Sequence, residues 1–232
     1  QRADVLQALR CLAIQLATYH APDEVKLAAV YSAAEQAEWA WLRWLPHVWS
    51  DDRRRRYLAD EATSTHGLMA ALDELLNRRR ARDDDKRSQA ATHLPRVVLF
   101  VGSDALVAQE PVLPRLYAEG PALGIYVVVL AERAKALPRA CRVLVKTSPH
   151  QGQVTDLEPV MATRTYVPDA ALVELAQRFA AALAPIQLRT VAPATIPDAV
   201  NLLELLGARR VEDLNVLDRW RAQQPGARIL PA

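Results

Sequence analysis

The chain has 232 residues, 51% of them hydrophobic, with 29 Lys and Arg against 27 Asp and Glu for a net charge of +2. So even a balance excludes a strong field toward nucleic acid or an acidic membrane surface, and no apolar run approaches the roughly 18 residues that span a bilayer. Two cysteines without CxxC spacing, Cys11 and Cys141, exclude a disulfide framework and fit a reducing cytosol.

Residues 4–19 carry apolar side chains at Val5, Leu6, Leu9, Leu12, Ala13 and Leu16, which predicts a helix with a wide apolar face. Pro22-Asp23 ends it, and VKLAAVY at 25–31 predicts a strand. Ser32 with Glu35 three residues on has the spacing of a capping box and opens a predicted helix that runs to Leu45 and stops at Pro46. A loop and a short strand are expected over 46–60. Thr63 or Ser64 opens a long helix through Leu68, Leu72, Leu75 and Leu76. Its charged tail at 78–89 is expected to be a frayed end and solvated linker.

The clearest strand is VVLFV at 97–101, bounded by Pro95 and Gly102. A helix at 112–119, with Pro111 suited to its first turn, leads to a second strand, IYVVVL at 125–130; a third is expected at 142–145. Continuous β-branched runs predict strands buried on both faces of a parallel sheet. The stretch 153–166 predicts a short hairpin. Residues 169–183 predict a helix whose apolar stripe is Leu172, Leu175, Ala176, Phe179 and Leu183. Short helices follow at 197–206 and 211–221, after a proline-rich strap at 184–195. Strands alternating with helices give an α/β class: a doubly wound, mostly parallel sheet flanked by helices. The expected organisation is an α/β core at 1–150, with 151–232 as the C-terminal part of the same domain. The length fits one large domain, and opening on Gln1 rather than Met fits a fragment. No leader pattern is read at the start, so a membrane link is expected to come from elsewhere in a parent chain or from a partner.

Ligands of such a sheet bind at the carboxyl ends of the strands. Those ends are Ser32, the turn Gly102-Ser103-Asp104, and Glu132-Arg133, and the positive end of the first helix near Arg2 and Asp4 can join them. This edge is poorly equipped for phosphoryl transfer. A phosphate-cradling loop needs glycines; the chain has 7, the first at Gly67, so residues 1–66 hold no such loop. The Walker A pattern is absent. The strand at 97–101 looks like a Walker B strand, yet Gly102 stands where its metal-binding Asp belongs, and Asp104 reaches that place only if the turn is rearranged.

Other candidates have plainer readings beside functional ones. Trp39 and Trp41 lie about 200° apart on a helix. Trp41 and Trp44 are therefore expected inside and Trp39 partly exposed, with partner docking through Trp39 and Trp49 as the functional alternative. Asp51, Asp52 and Arg53 to Arg56 read as a solvated loop; the alternative is that they bind an anion or lipid headgroups, and Arg53 and Arg54 join Trp39 and Trp49 as candidate partner contacts. Arginines at 78–87 alternate with Asp83, Asp84 and Asp85, which cancels a nucleic-acid footprint. His20 and His47 lack a second ligand at metal spacing and read as structural. Cys141 reads as a small core residue, no serine sits in a GxSxG elbow, and Glu132 is either a pocket residue or a surface charge.

The runs LATYHAPDEVKLAAV, AEWAWLRWLPHVWSDD, LPRVVLFVGSD and EGPALGIYVVVLAERAKALPRACRVLV resemble the EccC-type ATPases of type VII (ESX) secretion, FtsK/SpoIIIE-type motors. The likeness extends to TYVPDAA, LAPIQL and NLLELLGA near the end. It implies the ATPase-like domain of unknown function that follows the transmembrane helices and stalk and precedes the first Walker-bearing domain. Matched to a working core, the first helix would follow the phosphate loop, Gly102 would stand at the Walker B acid and Glu132 near a polar sensor. The resemblance implies a degenerate RecA/FtsK-like fold, catalytic residues none, metal ligands none, and a nucleotide pocket at Arg2, Asp4, Ser32, Gly102, Ser103, Asp104 and Glu132 that holds ATP and Mg weakly at most. It implies a structural or regulatory module at the cytoplasmic face of a bacterial inner membrane. Its partners would be other subunits of the membrane complex and adjacent ATPase domains, with WXG100-class cargo handled by the parent motor. The alternatives are a Mg-dependent ATPase using Asp104 and Glu132, and a DNA translocase, against which the balanced charge argues.

Overall fold

A computed structural model describes residues 2–50, 52–84, 94–158 and 162–186. The chain divides into two units, Gln1–Leu188 and Arg189–Ala232, and everything described lies in the first. The helices expected at 197–206 and 211–221, and all but the start of the strap, fall outside the described residues.

The β-branched runs form a parallel four-stranded sheet in the order β2 (Leu58–Ala59), β1 (Val25–Val30), β3 (Arg96–Val101), β4 (Ile125–Val129). Val25 lies opposite Arg96 and Val30 opposite Val101; Val97 lies opposite Ile125 and Val101 opposite Val129. All six residues of β1 are buried. Alternate residues feed two cores, because successive strand side chains point to opposite faces. On one face Val25, Leu27, Ala29 and Phe100 pack with α1 (Arg2–Tyr19), the tryptophan segment 39–49 and α6 (Val173–Leu183). On the other, Ala28, Val30, Leu99 and Val101 pack with α3 (Ala62–Asp84), α4 (Asp104–Val107) and α5 (Leu113–Ala118). The sheet is therefore doubly wound, as its composition implies. Pro114, rather than Pro111, sits in the first turn of α5.

The chain crosses this sheet with a single hand. It passes from β1 to β2 over the α1 face, through the tryptophan segment. It passes from β2 to β3 through α3, and from β3 to β4 through α4 and α5, over the opposite face. Movement toward β4 thus uses one face and movement toward β2 the other, as right-handed crossovers require.

Four expectations need correction. The strand at 142–145 does not join the parallel sheet. It is β5 (Val143–Thr147), which pairs antiparallel with β6 (Gly152–Asp156), itself paired antiparallel with β7 (Ala162–Tyr166). Its short apolar run gives way to Lys146, and it is largely exposed, unlike a parallel-sheet strand. The β6–β7 pair is the hairpin expected at 153–166. Second, the helix expected from Ser32 to Leu45 is broken into a 3₁₀ turn Ala33–Glu35, α2 (Gln36–Trp39) and a 3₁₀ stretch Ala40–Trp44. A 3₁₀ helix has three residues per turn, so the angles assumed for the tryptophans fail. Trp39 and Trp41 are buried at 5% and 2% exposure, while Trp44 is 49% exposed with the Arg43 guanidinium over its ring. Third, α6 starts at Val173, and its inward residues are Ala176 and Ala180, flanked by Val173, Phe179 and Leu183; Leu172 and Leu175 are exposed.

Fourth, the charged tail of α3 is not simply a solvated end. Arg79 is buried, and its guanidinium donates to the carbonyls of Leu123 (2.7 Å), Gly124 (3.1 Å) and Pro95. It clamps the turns that enter β3 and β4. Gly124 has φ +73°, a conformation glycine adopts without cost, and a Cβ there would lie 3.2 Å from Arg79 Nη1. On the other face Arg10 of α1 is buried and donates to Glu38 and to the Ala171 carbonyl, tying α1 to α2 and to the approach to α6. His47 is likewise buried, its Nε2 donating to the His20 carbonyl at 2.8 Å, and burial holds its pKa below the usual histidine value. Arg79→Ala leaves three carbonyls without their charged donor and is expected to cost about 2–3 kcal/mol, read as a lowered urea midpoint with an unchanged slope.

Candidate functional site

The carboxyl ends of β1 and β3 and the start of α1 meet at one edge. β3 ends at Val101, and the Gly102 N–H continues its ladder by donating to Val30 O at 2.7 Å. Trp39 covers this point. Its ring stacks on Tyr31, with centroids 5.7 Å apart and planes 3° from parallel, and lies tilted against Phe100 at 6.4 Å. A Cβ on residue 102 would come 2.8 Å from Trp39 Cζ2, closer than side-chain carbons approach. Any side chain at residue 102 would therefore need the Trp39 ring to move.

Arg2 closes the same edge from the other side. Its Nη2 donates to Gly102 O at 2.6 Å and to Glu35 Oε2 at 2.8 Å, and its Nε donates to Glu35 Oε1. This two-pronged pairing fits the guanidinium fork to a carboxylate. The Glu35 bond raises the Arg2 pKa most, and the charges of Glu35, Glu132 and Asp104 add to it. In turn Arg2 holds Glu35 below the ordinary glutamate range. The Trp39 indole N–H adds a smaller share to that depression, at a geometry short of a full hydrogen bond.

The remaining predicted positions divide. Ser32 is no capping box with Glu35: its Oγ accepts from Ala34 N at 3.2 Å, while the Glu35 carboxylate has gone to Arg2. Asp4 lies half-buried in the first turn of α1. Ser103 stands before α4, where its side chain makes no cap. Asp104 is exposed, its Oδ1 accepting from Ala105 N at 2.9 Å at the start of α4. Glu132 is exposed just beyond β4. The edge thus gathers Arg2, Glu35 and Gly102 in direct contact, with Asp104 and Glu132 close enough to act on Arg2 by charge. The part of Glu35 was masked by its capping-box spacing, and that of Trp39 by the assumption of an unbroken helix.

Of the positions considered for partner docking, Trp39 is buried and belongs to this edge. Trp49 is half-buried, with the Arg56 guanidinium 4.3 Å over its ring and its carbonyl accepting from Lys26 Nζ at 2.9 Å. Arg53 and Arg54 are exposed on the turn between Trp49 and Arg56; Arg53 has φ 54°, and Arg54 lies 3.9 Å from Asp52. Among the described residues no group of three or more His, Cys, Asp or Glu is gathered to hold a metal, and no helix is long and apolar enough to cross a membrane.

No protein-family model matches the chain. It is 25% identical over 211 residues, 90% of its length, to the ESX secretion system protein EccC of Geobacillus thermodenitrificans. It is 20% identical over 227 residues, 95% of its length, to the type VII secretion system protein EssC of Staphylococcus aureus.

The chain is similar to type VII secretion proteins of the EccC and EssC kind.

It spans 14% of the length of that EccC and 15% of that EssC. Among solved structures it resembles EssC (ATPases 2 and 3) from Geobacillus thermodenitrificans, with a TM-score of 0.60 at 15% identity over 78% of this chain and 42% of that one. It also resembles the cytoplasmic domain of the Thermomonospora curvata type VII secretion ATPase EccC, with a TM-score of 0.57 at 18% identity over 79% of this chain and 26% of that one. The fold is that of EccC and EssC ATPase domains. At the carboxyl ends of β1 and β3, Trp39 fills the space beside residue 102 and Glu35 is paired with Arg2.

Two outcomes are expected. Gly102→Ala lowers stability by about 1–3 kcal/mol and costs much less in a Trp39→Ala background; simple additivity in the double-mutant cycle contradicts the packing described. The Glu35 pKa is depressed on folding, so the bond to Arg2 adds stability above the ordinary glutamate value of 4.5 and loses it as pH falls through the lower folded value. Glu35→Gln is therefore less stable than the parent at pH 7, and the gap closes in acid, followed by thermal melts across pH.

Proposed function

We propose that this segment is a non-catalytic structural and regulatory domain of a type VII secretion motor. It couples the membrane stalk of the parent protein to ATPase domains that follow. The observation that carries this reading is the edge at Gly102: a tryptophan ring occupies the acid's place and an Arg2–Glu35 pair bridges the first helix to the end of β3. An ATPase-like sheet whose nucleotide edge is filled by its own side chains is suited to transmit position rather than to hydrolyse ATP. The similarity to EccC and EssC supports the assignment to that motor.

On this reading the domain works at the cytoplasmic face of a bacterial inner membrane, and its anchorage comes from the parent protein. Its partners are other subunits of the membrane complex and neighbouring ATPase domains, with the exposed turn at Arg53 and Arg54 and the adjoining Trp49 as one contact. The parent motor handles WXG100-class cargo. A solved relative, the Thermomonospora curvata EccC (ATPases 2 and 3), is described in complex with a signal sequence peptide. Neither nucleic-acid binding nor membrane insertion by this domain is part of the proposal.

The competing reading is a Mg-dependent ATPase using Asp104 and Glu132. In its favour, both carboxylates are exposed at the same edge, and both act on Arg2. Calorimetry with Mg-ATP separates the two. We expect no binding heat and no turnover; micromolar binding that disappears in Asp104→Ala would replace the structural reading with the catalytic one.

A further inference from the structure

The turn between Trp49 and Arg56 presents more positive charge than its own acids offset. From Ser50 to Arg56 the sequence holds two aspartates and four consecutive arginines, and Arg53, Arg54 and Arg55 are all exposed. The acid beside them is engaged by the backbone. Asp52 Oδ1 accepts from Ser50 Oγ at 2.6 Å and from Arg54 N at 3.1 Å, so it shapes the turn. Arg54 Nε lies only 3.9 Å from Asp52 Oδ2, at the limit of an ion pair. Neither Arg53 nor Arg55 has an ion pair among the described residues.

The turn is also braced. Trp49 and Arg56 form an antiparallel bridge, Ser50 N donates to Arg55 O at 2.9 Å, and Arg55 N donates to Ser50 Oγ at 3.1 Å. At its base the Arg56 guanidinium lies over the Trp49 ring. Arg53, with φ 54°, is the one non-glycine residue at positive φ among the described residues. That conformation suits glycine and is unfavourable for a long side chain. Within the described residues the Arg53 guanidinium makes no hydrogen bond or ion pair that would offset the strain. A strained arginine without an internal partner points to a partner outside the domain.

We propose that the guanidiniums of Arg53, Arg54 and Arg55 grip a carboxylate-rich segment of a neighbouring protein. A guanidinium fork pairs with a carboxylate through two parallel N–H groups, and arginine rather than lysine throughout the run suits that geometry. An isolated exposed ion pair contributes little; three forks on one braced turn engage together. Arginine and tryptophan are also the residues that concentrate binding energy at interfaces, and Trp49 adjoins the turn half-buried. The cations are confined to one turn in a chain of net charge +2, so they match a short acidic stretch and not the length of a nucleic-acid backbone. That the partner is another subunit of the secretion complex rests on the function proposed for the domain; the acidity of the partner rests on the turn alone.

Fluorescence anisotropy of a labelled oligoglutamate of about eight residues, titrated with this chain at about 0.15 M salt, tests it. Binding is expected, with the Kd raised about tenfold or more when Arg53→Glu, Arg54→Glu and Arg55→Glu are combined. The combination Arg133→Glu, Lys135→Glu and Arg139→Glu makes the same charge change at exposed positions elsewhere and should leave the Kd within about threefold. If the first combination does not fold, Arg53→Lys, Arg54→Lys and Arg55→Lys together keep the charge and lose the forks, and are expected to weaken binding. Arg53→Gly should raise the melting temperature while weakening binding, a pairing that a purely structural arginine does not produce. Absence of binding, equal loss in the variant at 133, 135 and 139, full affinity in the lysine variant, or a lowered melting temperature in Arg53→Gly overturns the proposal. So does strong, arginine-dependent binding to phosphatidylglycerol vesicles without binding to oligoglutamate, since the occupant would then be a lipid surface. The assay contains no nucleotide, so its failure leaves the non-catalytic reading standing.

Discussion

The indole of Trp39 lies against Gly102, at the carboxyl end of β3. That contact constrains everything near it. With Gly102 lacking a side chain, the ring stacks flat on Tyr31 and leans on Phe100, joining the ends of β1 and β3 in one aromatic layer. Aromatic pairs of this kind contribute about 0.5–1.5 kcal/mol beyond their buried area. The segment that carries Trp39 also carries Glu35 and Glu38, so seating the ring brings one carboxylate to Arg2 and the other to Arg10. Both arginines belong to α1. The helix is thereby fastened at its first turn and again in its middle, and the carboxyl edge of the sheet is filled from within.

Much of this architecture was legible in the residues. VKLAAV, VVLFV and IYVVV are apolar-rich runs of the kind parallel strands carry, and they form three neighbouring strands of the same sheet. What was not legible follows from contacts distant in sequence. VLV at 143–145 has the same local chemistry as its parallel neighbours, and only the chain path sends it to an antiparallel sheet. Arg79 sits in a charged run whose composition says solvent; its burial depends on three carbonyls contributed by turns before β3 and β4.

The site was half visible. Gly102, Asp104, Glu132 and Arg2 were named from the rule that ligands gather at strand carboxyl ends, and Arg2 and Gly102 do touch. Glu35 and Trp39 were missed because a local reading sufficed for each: a capping box for the first, an exposed helical ring for the second. The broken 3₁₀–α–3₁₀ path of residues 33–44 defeats both readings at once. A signal was present in principle, since a glycine directly after a buried strand invites the question of what large side chain needs the space.

A crystal of the domain soaked with a non-hydrolysable Mg-ATP analogue tests this account most directly. It should show Trp39 still stacked on Tyr31 above Gly102, the Arg2–Glu35 pair intact, and no ordered phosphate or magnesium at the ends of β1 and β3. Nucleotide bound there with magnesium, and the indole swung away from residue 102, would contradict it.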